Sequence, residues 1–167
     1  TPAELTRYIE TLTEQIEKHG PLATEKAVLW AMDITSALAY AHEQGIIHRD
    51  LKSDNIMIDK NTRAVVMDFG IARAKEDPSL TLSNSLIGTP LYMSPEQAQG
   101  MEIDARSDIY SIGVILYQMV TGNVPFDADD LRSVIYMHIN KQPEAPNTRN
   151  RQVPDWLNDI ILTCLQK

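Results

Sequence analysis

Two short runs in this sequence hold residue types that could do chemistry together. The first is His48-Arg49-Asp50-Leu51-Lys52-Ser53-Asp54-Asn55, and the second is Met67-Asp68-Phe69-Gly70, which begins twelve residues after Asn55. A carboxylate such as Asp50 is a candidate general base, and Lys52, two residues on, would bring a positive charge beside it. Asn55 and Asp68 offer the oxygen donors that hard cations such as Mg2+ favour. Taken singly, the first run could be a polar turn with scattered charges, and the second could be any turn that ends a strand. A third run, Gly88-Thr89-Pro90-Leu91-Tyr92-Met93-Ser94-Pro95-Glu96, adds further polar and turn-forming residues.

The elements that must position these runs read as mostly helical. Pro2 to Lys18 is expected to be a polar helix, stopped by Gly20-Pro21. Thr24 is the expected N-cap of the next helix, with Glu25 in its first turn. Along it Ala27, Trp30, Ala31, Ile34, Leu38 and Ala41 recur at helical spacing and give one apolar face. Gly45 is placed to cap its C-terminus. Two β-branched runs follow, Ile56 to Ile58 and Ala64 to Met67, and Asp59-Lys60-Asn61-Thr62 between them predicts a small hairpin.

Residues 70–95 show no sustained period, as expected of a functional loop. The segment around Ile109 to Val120 is apolar nearly all round and belongs in the centre of a core. Asp129 to Asn140 and Pro154 to Gln166 read as two more amphipathic helices, separated by a Pro/Asn/Arg-rich loop.

Composition narrows the function classes. The 167 residues are 43% apolar and 23% charged, ordinary for one soluble globular domain. A net charge of -8 argues against a nucleic-acid binder or a polybasic membrane-surface protein. Cys164 is the only cysteine, so an intrachain disulfide and a multi-thiolate zinc site are excluded, which suits a reducing compartment. No basic segment followed by an apolar one opens the chain, and Ile109 to Val120 is short of the ~20 residues of a membrane span. A cytoplasmic location is expected for this segment, whose parent protein is free to be anchored elsewhere. The start at Thr1-Pro2, without a methionine, suggests a fragment or a processed form.

The first run resembles the catalytic loop of protein kinases, H-R-D-L-K-x-x-N, at every defining position, and the second resembles their D-F-G motif at the right distance. Gly88 to Glu96 is similar to the substrate-docking loop and A-P-E motif, with Ser94 in place of the alanine. The chain is therefore identified as similar to a serine/threonine protein kinase of the eukaryotic-like (Hanks-type) family, bacterial in character, over its C-terminal lobe. The fold implied is mainly α: a helical bundle with a small β-hairpin carrying the catalytic and metal-binding loops. As a domain, 1–167 would be a partial kinase domain, without the N-terminal lobe and the final helix.

The resemblance also implies roles. Asp50 would accept the substrate hydroxyl proton and aim the oxygen at the γ-phosphorus of ATP. Lys52 would stabilise the transferring phosphoryl group, and Asn55 and Asp68 would hold Mg2+. Thr89 would hydrogen-bond Asp50 and Lys52 and favour Ser/Thr over Tyr substrates. Met57 would touch the adenine ring, or is simply core. His48 and Phe69 are core residues in either reading, and Gly70 permits the turn after Asp68. Arg49 would pair with a phosphate on the activation segment, at Thr81 or Ser83, unless those residues are only loop-formers. Asp108 would tether the catalytic-loop backbone, or is an ordinary N-cap. His19, His42, His138 and Cys164 show no pairing at metal or catalytic spacing.

Absent motifs carry expectations too. There is no glycine-rich loop, no V-A-I-K lysine and no helix glutamate for it, and the chain ends before the D-P-x-x-R arginine that Glu96 would meet. Glu96 without that partner suggests a lobe that is less rigid around its docking loop. ATP and Mg2+ are the implied cofactors, held weakly by this chain alone, which is expected to be inactive by itself. Protein substrates and the N-terminal lobe are the expected partners, with self-association through the exposed lobe interface or activation segment. No nucleic acid or membrane contact is expected. An alternative is a kinase relative without an N-lobe, acting as a binding or scaffold module. A small-molecule phosphotransferase is disfavoured by Lys52, by Asp68-Phe69-Gly70 and by the Gly88 to Glu96 run.

Overall fold

The structure, a computed structural model, describes residues 10–69 and 90–167. Its elements run β1 (Glu10–Thr11), α1 (Leu12–His19), α2 (Thr24–Glu43), β2 (Ile56–Ile58), β3 (Ala64–Val66), α3 (Pro95–Ala98), α4 (Ala105–Thr121), α5 (Leu131–Asn140), α6 (Pro146–Arg149) and α7 (Asp155–Cys164). Single 3-10 turns stand at Ser53–Asn55 and Pro90–Tyr92. The mainly helical, kinase-like reading of the sequence thus agrees with the architecture.

α4 is the axis of the core. Thirteen of its seventeen residues are buried, and Val114, Ile115, Tyr117 and Met119 are wholly inaccessible. A helix apolar on all sides cannot satisfy itself at a surface, so α2 and α7 pack along it. The face α2 presents is the predicted stripe: Ala27, Trp30, Ala31, Ile34, Leu38 and Ala41 are its buried residues. α7 approaches α4 where Gly113 leaves room. A Cβ there would lie 2.7 Å from the Cys164 Cβ, so no larger residue fits without movement.

The hairpin is present, with Ile56 facing Val66, Met57 facing Val65 and Ile58 facing Ala64. It belongs to a three-stranded antiparallel sheet, because β1 pairs with β2 on its other edge. Its turn is fixed by Asp59 Oδ1, which accepts from the amides of Asn61 (2.8 Å) and Arg63 (2.9 Å). α2 grips the same turn through Trp30 Nε1 on the Thr62 carbonyl (2.7 Å) and Asp33 on the Ala64 amide (3.1 Å).

Several expected boundaries move. Of the helix expected over Pro2 to Lys18, residues 2–9 lie outside the described residues; the described helix starts at Leu12, after a strand, because Thr11 and Glu14 form a capping box. Thr24 does not cap α2; Ala23 holds that position and Thr24 is the first helical residue. Gln44 is the C-cap, and Gly45 follows at φ +74°, the left-handed turn that a glycine accepts freely. The loop expected as far as residue 95 contains the turn at Pro90–Tyr92 and a helix start capped by Ser94. The Pro/Asn/Arg-rich stretch holds α6, and α5 and α7 are shorter than expected, since Asp130 caps the one and Pro154 precedes the other. None of the described helices is long and apolar enough to cross a membrane.

Candidate active site

The His48–Asn55 run descends from the end of α2 and enters β2 through its 3-10 turn, as a polar segment held from three sides. Asp108 is the first hold. It does not cap α4; Asp104 does, accepting from the Arg106 amide (2.8 Å). Freed from that task and 1% exposed, the Asp108 carboxylate accepts from the amides of His48 (2.9 Å) and Arg49 (3.0 Å). A ring nitrogen of His42 lies 2.7 Å from the same carboxylate. A buried carboxylate needs such donors, because an uncompensated one is costly to keep dry.

His48 is the second hold. Its Nε2 donates to the Met67 carbonyl (2.9 Å) and its Nδ1 accepts from the Asp50 amide (3.3 Å). With the Asp50 amide as donor, Nδ1 must be the bare nitrogen and Nε2 the protonated one. One ring therefore ties the backbone at Asp50 to the backbone just before Asp68. Phe69 covers that ring, with centroids 4.9 Å apart.

The third hold comes from the segment after residue 89. Gln97 Nε2 donates to the Arg49 carbonyl (2.7 Å), and Tyr92 Oη sits 2.7 Å from Ser53 Oγ. Ser53, wholly buried, also meets Thr13 Oγ at 2.6 Å, and Tyr92 Oη donates to Gln118 Oε1 (2.8 Å). Burial pushes the Tyr92 phenol up, so it stays protonated as a donor. Ser111 Oγ adds a bond to the Tyr92 carbonyl (2.8 Å).

These holds act on unusual backbone. Arg49 has φ +67° and Asp68 has φ +55°, in the left-handed region that costs a non-glycine residue about 1–3 kcal/mol. Such geometry persists only where neighbours over-determine it, and the Arg49 amide and carbonyl are both engaged. The side chains left facing outward are those of Asp50 and Asp68, both exposed, while Lys52 is half-buried between them in sequence. Asn55, 9% exposed, turns its Nδ2 to the Asp50 carbonyl (2.9 Å), and its Oδ1, without a partner among the described residues, is the atom that could meet a cation.

Met57 lies on the sheet face opposite the buried Ile56 and Ile58, beside exposed Val65. Glu96 is half-buried, and its Oε1 accepts from Ser107 Oγ. Gly70, Thr81, Ser83 and Thr89 lie outside the described residues. No three or more His, Cys, Asp or Glu gather among the described residues. Magnesium does not require that, since it keeps water and is held by one or two carboxylates together with phosphate oxygens.

Sequence reading missed His42, Ser53, Tyr92, Gln97 and Gln118. His42, which shows no pairing at metal or catalytic spacing, is the clearest case: its structural partner is 66 positions away on another helix. Ser94-x-x-Gln97 did carry a signal, as a capping box, though not for the bond to Arg49.

Comparison with known proteins bears on the family and the fold. A family model described as the protein kinase domain matches residues 4–167. A probable serine/threonine-protein kinase of Clostridium acetobutylicum is 43% identical over 158 residues, covering 95% of this chain and 24% of that protein. The serine/threonine-protein kinase PknB of Mycolicibacterium smegmatis is 43% identical over 170 residues, covering 99% of this chain and 27% of that protein. The chain thus spans about a quarter of the length of these curated relatives. Among solved structures, Rad53 1–466 in complex with AMP-PNP superposes with a TM-score of 0.77 at 25% identity, covering 93% of this chain and 39% of that one.

Proposed function

The chain belongs to the protein kinase family, and from that premise we propose that it forms the catalytic-loop side of a serine/threonine protein kinase. The reaction moves the γ-phosphoryl group of ATP to a Ser or Thr hydroxyl of a protein. The observation that supports this most is the His48 bridge, which joins the backbone of Asp50 to that of Met67, the neighbour of Asp68. Two exposed carboxylates from separate loops are thereby kept in a fixed relation.

In this reading Asp50 accepts the hydroxyl proton and orients the attacking oxygen, a contribution of typically ~10²–10⁴ in rate. Lys52 sets a positive charge beside the phosphoryl oxygens, and Asp68 with Asn55 Oδ1 holds Mg2+. When bound, the metal neutralises phosphate charge and so lowers the cost of bringing an oxygen nucleophile close. Thr89 selects aliphatic hydroxyls, Met57 lines the adenine side, and Arg49 meets a phosphate on Thr81 or Ser83. Asp108, His48, Phe69, Gly70 and Glu96 keep these groups in register.

The glycine-rich loop and strand lysine that would cover ATP from its other side are not among the 167 residues. The isolated chain is accordingly inactive, and the substrate is phosphorylated only when a partner lobe completes the cleft.

The test uses the full-length protein carrying this chain, with Mg2+, ATP and matched Ser, Thr and Tyr peptides. Transfer to Ser and Thr but not Tyr is expected, and Asp50→Asn should lower the rate by roughly 10²-fold or more. Absence of transfer, or an Asp50→Asn rate equal to wild type, would sink the reading. So would normal turnover by the 167-residue chain alone, for the part concerning the partner lobe.

A further inference from the structure

The amide of Gln97 is engaged at both ends, and only one end is explained by its position in a helix. Gln97 is the third residue of α3, where Oε1 accepts from the Ser94 amide (3.0 Å) and its own amide reaches Ser94 Oγ (3.3 Å). A capping box asks only for an acceptor at this place, and Glu serves as well as Gln. Glu would also suit the positive end of the helix dipole. What Gln adds is a donor. That donor sits 2.7 Å from the Arg49 carbonyl, the oxygen of the peptide plane that leads into Asp50.

The other edge of that plane, the Asp50 amide, is held only by the longer bond to His48 Nδ1 (3.3 Å). Arg49 is in the left-handed region at φ +67°, and its amide is held by Asp108 from α4. The carbonyl side is held by Gln97 from α3. Rotation of the Arg49–Asp50 plane would swing the Asp50 side chain, so Gln97 restrains the aim of that carboxylate. The element it reaches from follows directly on the Pro90–Tyr92 turn, which is itself joined to Ser53 on the far side of Asp50.

We propose that Gln97 is a positioning residue for phosphoryl transfer, tying the docking segment to the peptide plane that orients Asp50. The inference rests on the kinase reading above. It assigns to the donor half of one side chain a role that its acceptor half, the helix cap, does not need.

The two halves separate by substitution. In the full-length protein Gln97→Glu keeps the cap acceptor and removes the donor. The expected result is a fall in kcat of roughly tenfold or more, with KM for ATP unchanged and a smaller fall in melting temperature than Gln97→Met shows. Gln97→Met removes both halves and should lose kcat similarly while also melting earlier. Rates are counted per molecule able to bind a non-hydrolysable ATP analogue, so partial unfolding does not imitate the effect. Asn150→Ala is the control, since it deletes a side chain-to-carbonyl bond of the same kind, to Val120 (2.8 Å), with the bond Oδ1 accepts from the Gln152 amide (3.1 Å), both away from the loop. It should leave kcat unchanged.

A Gln97→Glu enzyme within about twofold of wild-type kcat overturns the proposal and leaves Gln97 a cap alone. So does an equal fall in Gln97→Glu and Asn150→Ala, which would mark general loosening. A wild-type protein with no transfer to Ser or Thr overturns the kinase reading first, and this inference with it.

Discussion

His48 and His138 are equally dry, both with no accessible surface, yet the molecule treats them in opposite ways. In the catalytic-loop region both nitrogens of His48 have partners, and the ring fixes two stretches of backbone. At the α4–α5 seam His138 has one hydrogen-bond partner among the described residues, Tyr110 Oη at 2.8 Å. Lys167 donates to that same hydroxyl (3.0 Å), so the Tyr110 proton points to His138 Nδ1 and the ring proton sits on Nε2. That Nε2 has no partner among the described residues. Phe126 and Tyr110 meet the ring edge-on at 5.1 and 5.6 Å. Burial, with Lys167 adding to it, pushes the His138 pKa down to about 4. The contrast teaches where polar satisfaction is concentrated: it is complete where backbone must be held in an unfavourable conformation, and partial where apolar packing already decides the structure.

The largest expected effect breaks the first region. Asp108→Ala strips the carboxylate from the amides of His48 and Arg49 and from His42, and should cost about 3–5 kcal/mol in urea unfolding. A loss below about 1 kcal/mol would erase the distinction between the two regions. Next comes acid titration of the second. His138 takes a proton near 6.5 when unfolded and near 4 when folded, so its share of stability is intact above 6.5 and disappears as pH falls to about 4. The ceiling is about 3 kcal/mol. His138→Gln should flatten that part of the stability-pH curve, and a slope that survives the substitution would assign the loss to other groups.

A pair of tyrosines gives the smallest effects and differs in sign. Tyr110→Phe removes the hydrogen bond that His138 makes among the described residues and should destabilise by about 1–2 kcal/mol. The Tyr117 hydroxyl is buried and unpaired among the described residues, so Tyr117→Phe should be neutral or stabilising by up to about 1 kcal/mol. Thermal melts of both variants side by side check this, and equal losses would contradict it.

The fold was legible wherever one periodicity dominated. The α2 stripe and the all-apolar α4 follow from burial alone, and the hairpin follows from two short β-branched runs around Asp59-Lys60-Asn61-Thr62. Boundaries were less legible, because caps depend on single positions: Thr11 for α1, Ala23 rather than Thr24, Asp104 rather than Asp108. Strand β1 has only two residues and exists through pairing with Met57 and Ile58, which no local pattern encodes. In the candidate site, Asp50, Lys52, Asn55 and Asp68 stood out by type and spacing. Their restraints did not. His42, Tyr92, Gln97 and Gln118 act across 26 to 66 positions, onto partners that only the packed helices bring near.

The bare flank of α4 at Gly113 has one more consequence. Cys164 presses into it and is the only thiol in the chain, and burial pushes its pKa up. The residue is nonetheless only half-buried, so a reagent that attacks thiolates meets a thiol slowed by its raised pKa and partly open to solvent. Alkylation of the unmodified protein therefore reads the loosening of the α4–α7 seam as an acceleration above a native baseline, without a probe having to be introduced.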